Sequence, residues 1–322
     1  MSIFETGKVP DAAVDSCFHA LLADPRSEAR PPPAHIPLKV VREAADARLA
    51  LAPKLPVFSV ADLEVPVGRR SIRTRLYRPA DQTPLPVIVF LHGGGWVWGS
   101  IESHDSLCRS LAREAECAVL SVDYRLAPED PFPAGLQDAR DVVAWLVANG
   151  ESLGLASDRM AVCGDSSGGN LALALAAMPD MPMRMAGVFY PPLDPDCDSA
   201  SQHRFATGHL LTREVMLWFW QAYLGAAQTT APAEALPGHG DLSTLPPVSI
   251  GLAECDILHD EGQALAARLE KAGHLAGLRV YPGQIHAFVS LPHITPMAEV
   301  AIRDMARDLR QALVTEQEGT AP

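Results

Sequence analysis

Length, composition and charge narrow the choice of function before any motif is considered. The chain has 322 residues, 48% of them hydrophobic and 20% charged, and a formal net charge of -13 at pH 7. This composition is typical of a globular protein with a sizeable core and argues against extended disorder. The acidic balance argues against a nucleic-acid partner, because affinity for phosphates depends on Lys and Arg. We expect a small, uncharged or weakly polar partner.

Cysteine spacing indicates whether the chain binds a metal, and apolar runs indicate where in the cell it is located. The six cysteines are scattered, with no pair at the Cys-x-x-Cys spacing that zinc or a redox disulfide requires. The first residues show no basic patch followed by an apolar run, and no stretch of about 18 uninterrupted apolar residues occurs. These features predict free buried thiols and a cytoplasmic protein without metal or membrane span.

The patterns in the first part of the chain predict an N-terminal helical appendage followed by a β-hairpin. Helical patterns at 11–23 and 38–52 are separated by a proline cluster at 31–33. Apolar and polar residues then alternate over 58–67 and 71–77, with Gly68 between the two runs. This alternation predicts two antiparallel strands.

The body of the chain alternates buried strands with helices. Short continuous apolar runs predict strands at 86–91, 118–122, 160–163, 186–190, 248–252 and 278–281. Helical patterns lie between them at 136–148, 170–177 and 262–272. The alternation indicates an α/β fold with a mostly parallel sheet covered by helices. Residues 194–235 interrupt it, and we interpret them as an insertion over the sheet.

The segment Gly164-Asp-Ser-Ser-Gly-Gly169 lies between a predicted strand and a predicted helix. A serine on such a sharp turn is a nucleophile elbow, and the residues two before and two after it must be small. Gly164 and Gly168 flank Ser166 in this way, whereas Ser167 would be flanked by Asp165 and Gly169. The pattern therefore predicts Ser166 as the nucleophile, with Ser167 contributing its backbone N–H to an oxyanion hole.

A glycine run predicts the rest of the oxyanion hole. His92-Gly-Gly-Gly-Trp96 follows the strand that ends near Leu91. Only glycine lets a backbone approach a substrate oxyanion so closely. We predict the N–H groups of Gly93 and Gly94 as donors, and His92 as a brace for this loop.

The base and the acid are expected after late strands, since proteins with such an elbow carry them in the order Ser, acid, His. His286 follows the predicted strand 278–281 and is our predicted base. Asp256 follows the strand 248–252 and is our predicted acid. Asp260 and Glu261 compete with it, but their position immediately before a helix favours roles as N-terminal capping and first-turn carboxylates.

Five motifs in order resemble one known family. The chain resembles the bacterial hormone-sensitive lipase family of α/β-hydrolase carboxylesterases, in the branch whose elbow reads Gly-Asp-Ser-Ala-Gly. Ser167 replaces the usual alanine of that branch, and Ile257 stands where proline is common. The matching motifs are His92-Gly-Gly-Gly-Trp96, Asp123-Tyr-Arg-Leu-Ala-Pro-Glu129 with Pro131-Phe-Pro-Ala134, the elbow, Asp256-Ile-Leu-His-Asp-Glu261 and His286-Ala-Phe288.

The resemblance implies an α/β-hydrolase fold with an eight-stranded, mostly parallel sheet and a helical cap. Its expected divisions are an N-terminal cap part at 1–52, core at 53–193, a cap insertion at 194–235 and core at 236–322. It implies no cofactor, and it favours a homodimer. It also suggests five residues that line an acyl or alcohol pocket: Trp96, Phe205, Leu210, Trp218 and Phe219.

The predicted function is hydrolysis of short- to medium-chain acyl esters through an acyl-enzyme on Ser166. An alternative is the same triad acting on an amide, lactone or formyl substrate, because leaving-group choice depends on the shape of the cap. A more distant alternative is a non-catalytic ligand-binding receptor on this fold. Known receptors of this kind lack the catalytic histidine, whereas His286 is present here.

Overall fold

An eight-stranded sheet forms the centre of the protein, as seen in a computed structural model that describes residues 13–33, 35–225 and 231–314. In chain order its strands are β1 (Ser59–Val67), β2 (Arg70–Arg78), β3 (Leu85–Leu91), β4 (Ala118–Val122), β5 (Leu155–Asp165), β6 (Met183–Phe189), β7 (Val248–Cys255) and β8 (Leu275–Ile285). Their spatial order is β1-β2-β4-β3-β5-β6-β7-β8. The predicted α/β-hydrolase fold with an eight-stranded sheet is confirmed.

The two ends of the sheet differ in strand direction. β1 pairs antiparallel with β2, and β2 antiparallel with β4, whereas all the other pairs are parallel. The two-residue turn of the predicted hairpin places Gly68 at a φ of +59°, in the region that favours glycine. Every residue of β3 and β4 is buried, which is why these strands read as continuous apolar runs.

Nine α-helices occur within the described residues. They are α1 (His19–Leu22), α2 (Leu38–Leu49), α3 (Asp105–Ala115), α4 (Ala134–Asn149), α5 (Ser167–Ala176), α6 (Ala200–Arg204), α7 (Arg213–Leu224), α8 (His259–Ala272) and α9 (Met297–Val314). The amphipathic α3 and α9, which the sequence patterns did not predict, pack against each other and against the sheet. None of the described helices is long and apolar enough to cross a membrane.

The N-terminal helices are shorter than predicted. The stretch expected at 11–23 contains a 3-10 turn at Ser16–Phe18 and then α1, while 11 and 12 lie outside the described residues. The second helix, α2, ends at Leu49. The N-terminal segment contacts the insertion, since the N–H of Ala29 donates to the carbonyl oxygen of Leu210 at 2.7 Å. Two distant parts of the chain are thereby joined above the sheet.

Candidate active site

The predicted elbow is a tight turn from β5 into α5. Ser166 has φ +52° and ψ -125°, and its N–H donates to the carbonyl oxygen of Phe189 at 2.9 Å. A β-carbon on Gly164 would overlap the backbone of Gly168, and one on Gly168 would overlap the carbonyl oxygen of Leu91. Only glycine fits at both positions, which confirms the steric reasoning that placed the turn around Ser166.

Three side chains from separate loops meet at this turn. The Oγ of Ser166 lies 2.9 Å from Nε2 of His286, and Nδ1 of His286 lies 2.7 Å from Oδ2 of Asp256. His286 follows β8, and Asp256 follows β7. Because a carboxylate faces Nδ1, this nitrogen carries the proton, and Nε2 is left to accept a proton from the serine. The contacts are those of a Ser–His–Asp triad.

The aspartate is itself held in place by the backbone. Its Oδ1 accepts a hydrogen bond from the N–H of Leu258 at 3.0 Å, and the residue is 1% exposed. Both carboxylate oxygens of Asp256 are therefore used, one toward the imidazole and one toward the start of α8. A carboxylate fixed in this way orients the histidine ring and stabilises its positively charged form.

The loop that contains Gly93, Gly94 and Gly95, here called the glycine loop, differs from the prediction at one N–H donor. The N–H of Gly93 donates to Oδ1 of Asp165 at 2.9 Å. It is therefore not free to face an oxyanion, and its predicted role is wrong. Within the described ranges, no hydrogen bond has the N–H of Gly94, Gly95 or Ser167 as donor. The sequence did contain the signal for Gly95, because it is the third glycine of the run.

His92 is buried beneath the glycine loop. Its Nδ1 donates to the carbonyl oxygen of Gly93 at 2.9 Å, and its ring stacks on Tyr124 with 4.3 Å between ring centres. Burial, together with the neighbouring His104, lowers the pKa of His92 to about 3, so the ring is neutral. This geometry agrees with the predicted bracing role.

Behind the nucleophile lies a second histidine–carboxylate pair that sequence reasoning missed. Nε2 of His104 is 3.2 Å from Oδ1 of Asp165, and its Nδ1 is 2.9 Å from Oγ of Ser103. Burial by itself lowers the pKa of His104, but the charge and hydrogen bond of Asp165 outweigh it and raise that pKa overall. The same carboxylate accepts from Gly93, so the pair ties the glycine loop to the residue before Ser166.

The other two carboxylates near the acid, Asp260 and Glu261, lie in the first turn of α8, as one part of the prediction expected. Neither residue caps α8, whose N-cap is Leu258; their side chains bind residues at the start of the insertion and Leu193 just before it. Asp260 accepts from the N–H of Ser201 at 2.8 Å. Glu261 accepts from the N–H of Leu193 at 2.6 Å and from the side chain of Gln202 at 2.9 Å. They hold the insertion to the loop that carries Asp256.

A cavity of about 520 Å³ opens from Ser166 and His286 toward the N-terminal segment. Of the five predicted pocket residues, it includes Leu210 and Phe219 but not the others. The wall also contains side chains that the sequence did not single out: Leu49, Trp98, Leu211, Met216 and Leu291.

Three predicted pocket residues belong to the packed interior or to another helix face. Trp96 is 1% exposed, with its ring stacked 4.2 Å from that of Tyr223, and Phe205 is 2% exposed. Trp218 is next to Phe219 on α7, and successive helix positions point about 100° apart, so only one of the two faces the cavity. An aromatic pattern in the sequence does not distinguish a pocket from a core.

Comparison with known proteins agrees with this fold and site. The alpha/beta hydrolase fold family matches residues 88–290. An ethyl acetate hydrolase of Pseudomonas putida is 38% identical over 257 residues, covering 76% of this chain and 79% of the relative. The carboxylesterase NlhH of Mycobacterium tuberculosis is 36% identical over 255 residues, covering 76% and 80%.

A solved structure extends the similarity to the three-dimensional level. An ester hydrolase from the metagenome of Lake Arreo, complexed with a derivative of bipyridine phosphonate, superposes with a TM-score of 0.87 at 35% identity. The superposition covers 94% of this chain and all of that one. The fold and the site thus define a carboxylic ester hydrolase with a serine triad. The chain belongs to the alpha/beta hydrolase fold family, in its hormone-sensitive lipase branch of carboxylesterases.

Proposed function

We propose that this protein is a serine carboxylesterase that hydrolyses short- to medium-chain acyl esters, with Ser166 as nucleophile, His286 as base and Asp256 as acid. The observation that carries the proposal is the continuous chain of contacts from Ser166 Oγ through His286 to Asp256, at 2.9 and 2.7 Å. Ser166 and His286 both line the cavity, so an ester bound there can bring its carbonyl carbon to the hydroxyl.

In the proposed acylation step, His286 takes the proton of Ser166 as Oγ bonds to the ester carbonyl carbon. The C=O electron pair moves onto oxygen and forms the tetrahedral oxyanion. When the adduct collapses, the C–O bond to the alcohol breaks, and His286 returns the proton to the departing oxygen. Water then repeats both steps on the acyl-enzyme, which releases the acid and restores Ser166.

The oxyanion donors we propose are the N–H groups of Gly94, Gly95 and Ser167. The residues of all three lie around the nucleophile, and none of the three groups has an acceptor within the described part of the chain. Their directions are fixed before substrate arrives: Nδ1 of His92 binds the carbonyl of Gly93, which shares a planar peptide with the N–H of Gly94. Donors fixed in this way lose no energy to reorganisation when charge develops.

Cavity size and wall chemistry support short to medium acyl chains. The cavity of about 520 Å³ is walled largely by apolar side chains, among them Met216 and Phe219. An apolar wall binds an acyl chain by removing its surface from water, and the finite volume of the cavity limits the chain length. The Pseudomonas putida relative is named for ethyl acetate, an ester with a two-carbon acyl group.

The test is hydrolysis of p-nitrophenyl acetate, butyrate and octanoate, with a p-nitroanilide of matched acyl group. We expect turnover of the esters, falling by octanoate, and negligible turnover of the anilide. Ser166→Ala should abolish activity, whereas Ser167→Ala, the matched control at the next residue, should keep most of it. Activity in Ser166→Ala would refute the assignment. Preference for the anilide would favour the amide alternative, and inert esters together with ligand binding would favour a receptor.

Residues 1–52 and 194–235 are proposed as the two parts of the cap, around core segments 53–193 and 236–322. The bond between Ala29 and Leu210 and the position of Leu49 in the cavity wall support this division. Residues 1–12, 34, 226–230 and 315–322 of these segments lie outside the described residues. A homodimer and a cytoplasmic location stay predictions, and light scattering of the purified protein would test the dimer.

A further inference from the structure

A guanidinium on the N-terminal segment reaches the loop that carries the glycine amides. Arg42, on α2, donates from Nε to the carbonyl oxygen of Val97 at 2.7 Å and from Nη2 to the carbonyl oxygen of Ala127 at 2.9 Å. Its Nη1 and Nη2 also donate to the carboxylate of Glu129, at 2.9 and 2.7 Å. One side chain therefore joins three segments that are far apart in the sequence.

The carbonyl of Val97 belongs to a turn that sets the direction of one proposed oxyanion donor. The N–H groups of Val97 and Trp98 donate to the carbonyl oxygen of Gly94, at 3.2 and 2.8 Å. Because the peptide between Gly94 and Gly95 is planar and trans, the N–H of Gly95 points opposite to that carbonyl. Any rotation of the turn at 94–98 therefore swings the Gly95 N–H.

The second carbonyl bound by Arg42 supports the same turn from the other side. The N–H of Ala127 donates to the carbonyl oxygen of Trp96 at 2.9 Å. Arg42 therefore holds the turn directly through Val97 and indirectly through Ala127. The bond to Glu129 fixes the plane of the guanidinium, because two parallel N–H···O contacts allow only one orientation. Consistent with this, Arg42 lowers the pKa of the Glu129 carboxyl.

We propose that Arg42 is a positioning residue for the oxyanion hole, which makes turnover depend on the docking of α2 against the glycine loop. The proposal rests on the proposed function, since it requires Gly95 to stabilise an oxyanion. Its physical basis is that electrostatic stabilisation needs donors already aimed at the transition state, and a small misplacement removes much of their effect. A helix outside the core sheet thereby becomes part of the catalytic apparatus.

A purely structural role for Arg42 predicts a different kinetic result. If the side chain only fastens α2 to the body, its loss loosens the cavity wall and weakens substrate and transition state alike. Such a change raises KM and leaves kcat unchanged. Loss of an aligned oxyanion donor acts on the transition state alone, so kcat falls and KM stays near its original value.

The experiment compares Arg42→Gln and Arg42→Lys with Lys39→Gln, a matched control on the exposed side of the same helix. With p-nitrophenyl acetate we expect kcat to fall about tenfold or more in both Arg42 variants, part of the roughly 10²- to 10³-fold cost of losing a whole donor. A lysine cannot replace the fork of a guanidinium. Lys39→Gln should match the original protein, and KM should change by less than about twofold.

A trifluoromethyl ketone distinguishes misaligned oxyanion donors from weaker binding in the cavity as a whole. Its adduct with the serine carries an oxyanion, so its affinity depends on those donors. Its affinity should fall by the same factor as kcat/KM in the Arg42 variants. Unchanged kcat, or a rise in KM alone, would overturn the proposal. If Arg42→Gln does not fold, as judged by circular dichroism, kcat, KM and ketone affinity are measured in Arg42→Lys and Glu129→Gln instead, and the same results support or overturn the proposal. Should the original protein lack esterase activity, or Ser166→Ala retain it, the proposed function fails instead.

Discussion

Replacing Asp256 with asparagine should disable the base without unfolding the site. Two N–H groups converge on this carboxylate, those of Leu258 at 3.0 Å and of His286 Nδ1 at 2.7 Å. An asparagine has only one oxygen for them. The backbone N–H of Leu258 cannot turn away, so the oxygen faces it and the amide NH₂ faces the imidazole. The histidine then adopts the tautomer with a proton on Nε2, which cannot accept one from Ser166.

The expected magnitude follows from the wrong tautomer. The same substitution in a serine triad lowers kcat by about 10⁴-fold, which corresponds to about 5 kcal/mol of barrier. The assay is kcat for p-nitrophenyl butyrate at pH 7 to 9, with thermal unfolding measured alongside. Asp241→Asn makes the same chemical change at an exposed position, where Ser243 is the carboxylate's only hydrogen-bond donor among the described residues, and should leave kcat unchanged. A loss of less than about tenfold in Asp256→Asn would refute the reasoning about converging donors.

Three further predictions concern stability, pH and chain-length preference. Gly168→Ala places a β-carbon against the carbonyl oxygen of Leu91, so we expect the free energy of unfolding to fall by about 1–3 kcal/mol, measured in urea; unchanged stability would contradict the tight turn. The raised pKa of His104 stabilises the fold fully below the ordinary histidine pKa of about 6.5 and loses this contribution as pH rises through the raised value. Urea unfolding at pH 6 and pH 9 should therefore show a smaller loss of stability in His104→Gln than in the original protein, and equal losses would count against the pair with Asp165. Met216→Ala removes side-chain volume from the cavity wall, so the ratio of kcat/KM for octanoate to that for butyrate should rise severalfold; a constant ratio would exclude this wall from the acyl site.

The turn around Ser166 and the sheet strands could be predicted because the steric limit at glycine and the burial of apolar runs are visible in residue type alone, whichever residue is the partner. Gly164 and Gly168 are glycine because a β-carbon at either position meets backbone only a few residues or one strand away. The apolar runs of β3 and β4 report burial on both faces, which holds for every residue of those strands. The order of nucleophile, acid and base could be placed on the sequence once the strands were identified.

The errors arose where a residue's partner is distant in the sequence. The N–H of Gly93 is taken by Asp165, 72 positions away, and nothing in a run of three glycines shows which amide is occupied. Asp260 and Glu261 lie in the first turn of α8 as expected, but their oxygens bind Ser201 and Leu193, 59 and 68 positions earlier, which a local capping pattern does not show. The distinction between Phe219 and Trp218 depends on which face of α7 meets the cavity.

By itself the sequence determined the fold class, the strand order along the chain, the nucleophile turn and the candidate triad, since these depend on hydrophobic period, steric limits at glycine and spacing after strands. The tertiary structure decided which amides are free, which aromatic rings reach the cavity and how α2 is bound to the glycine loop through Arg42. The physical reason is that hydrogen bonds and cavity walls form between segments brought together only by folding, and a donor already paired in the folded chain looks the same in the sequence as one left for the substrate.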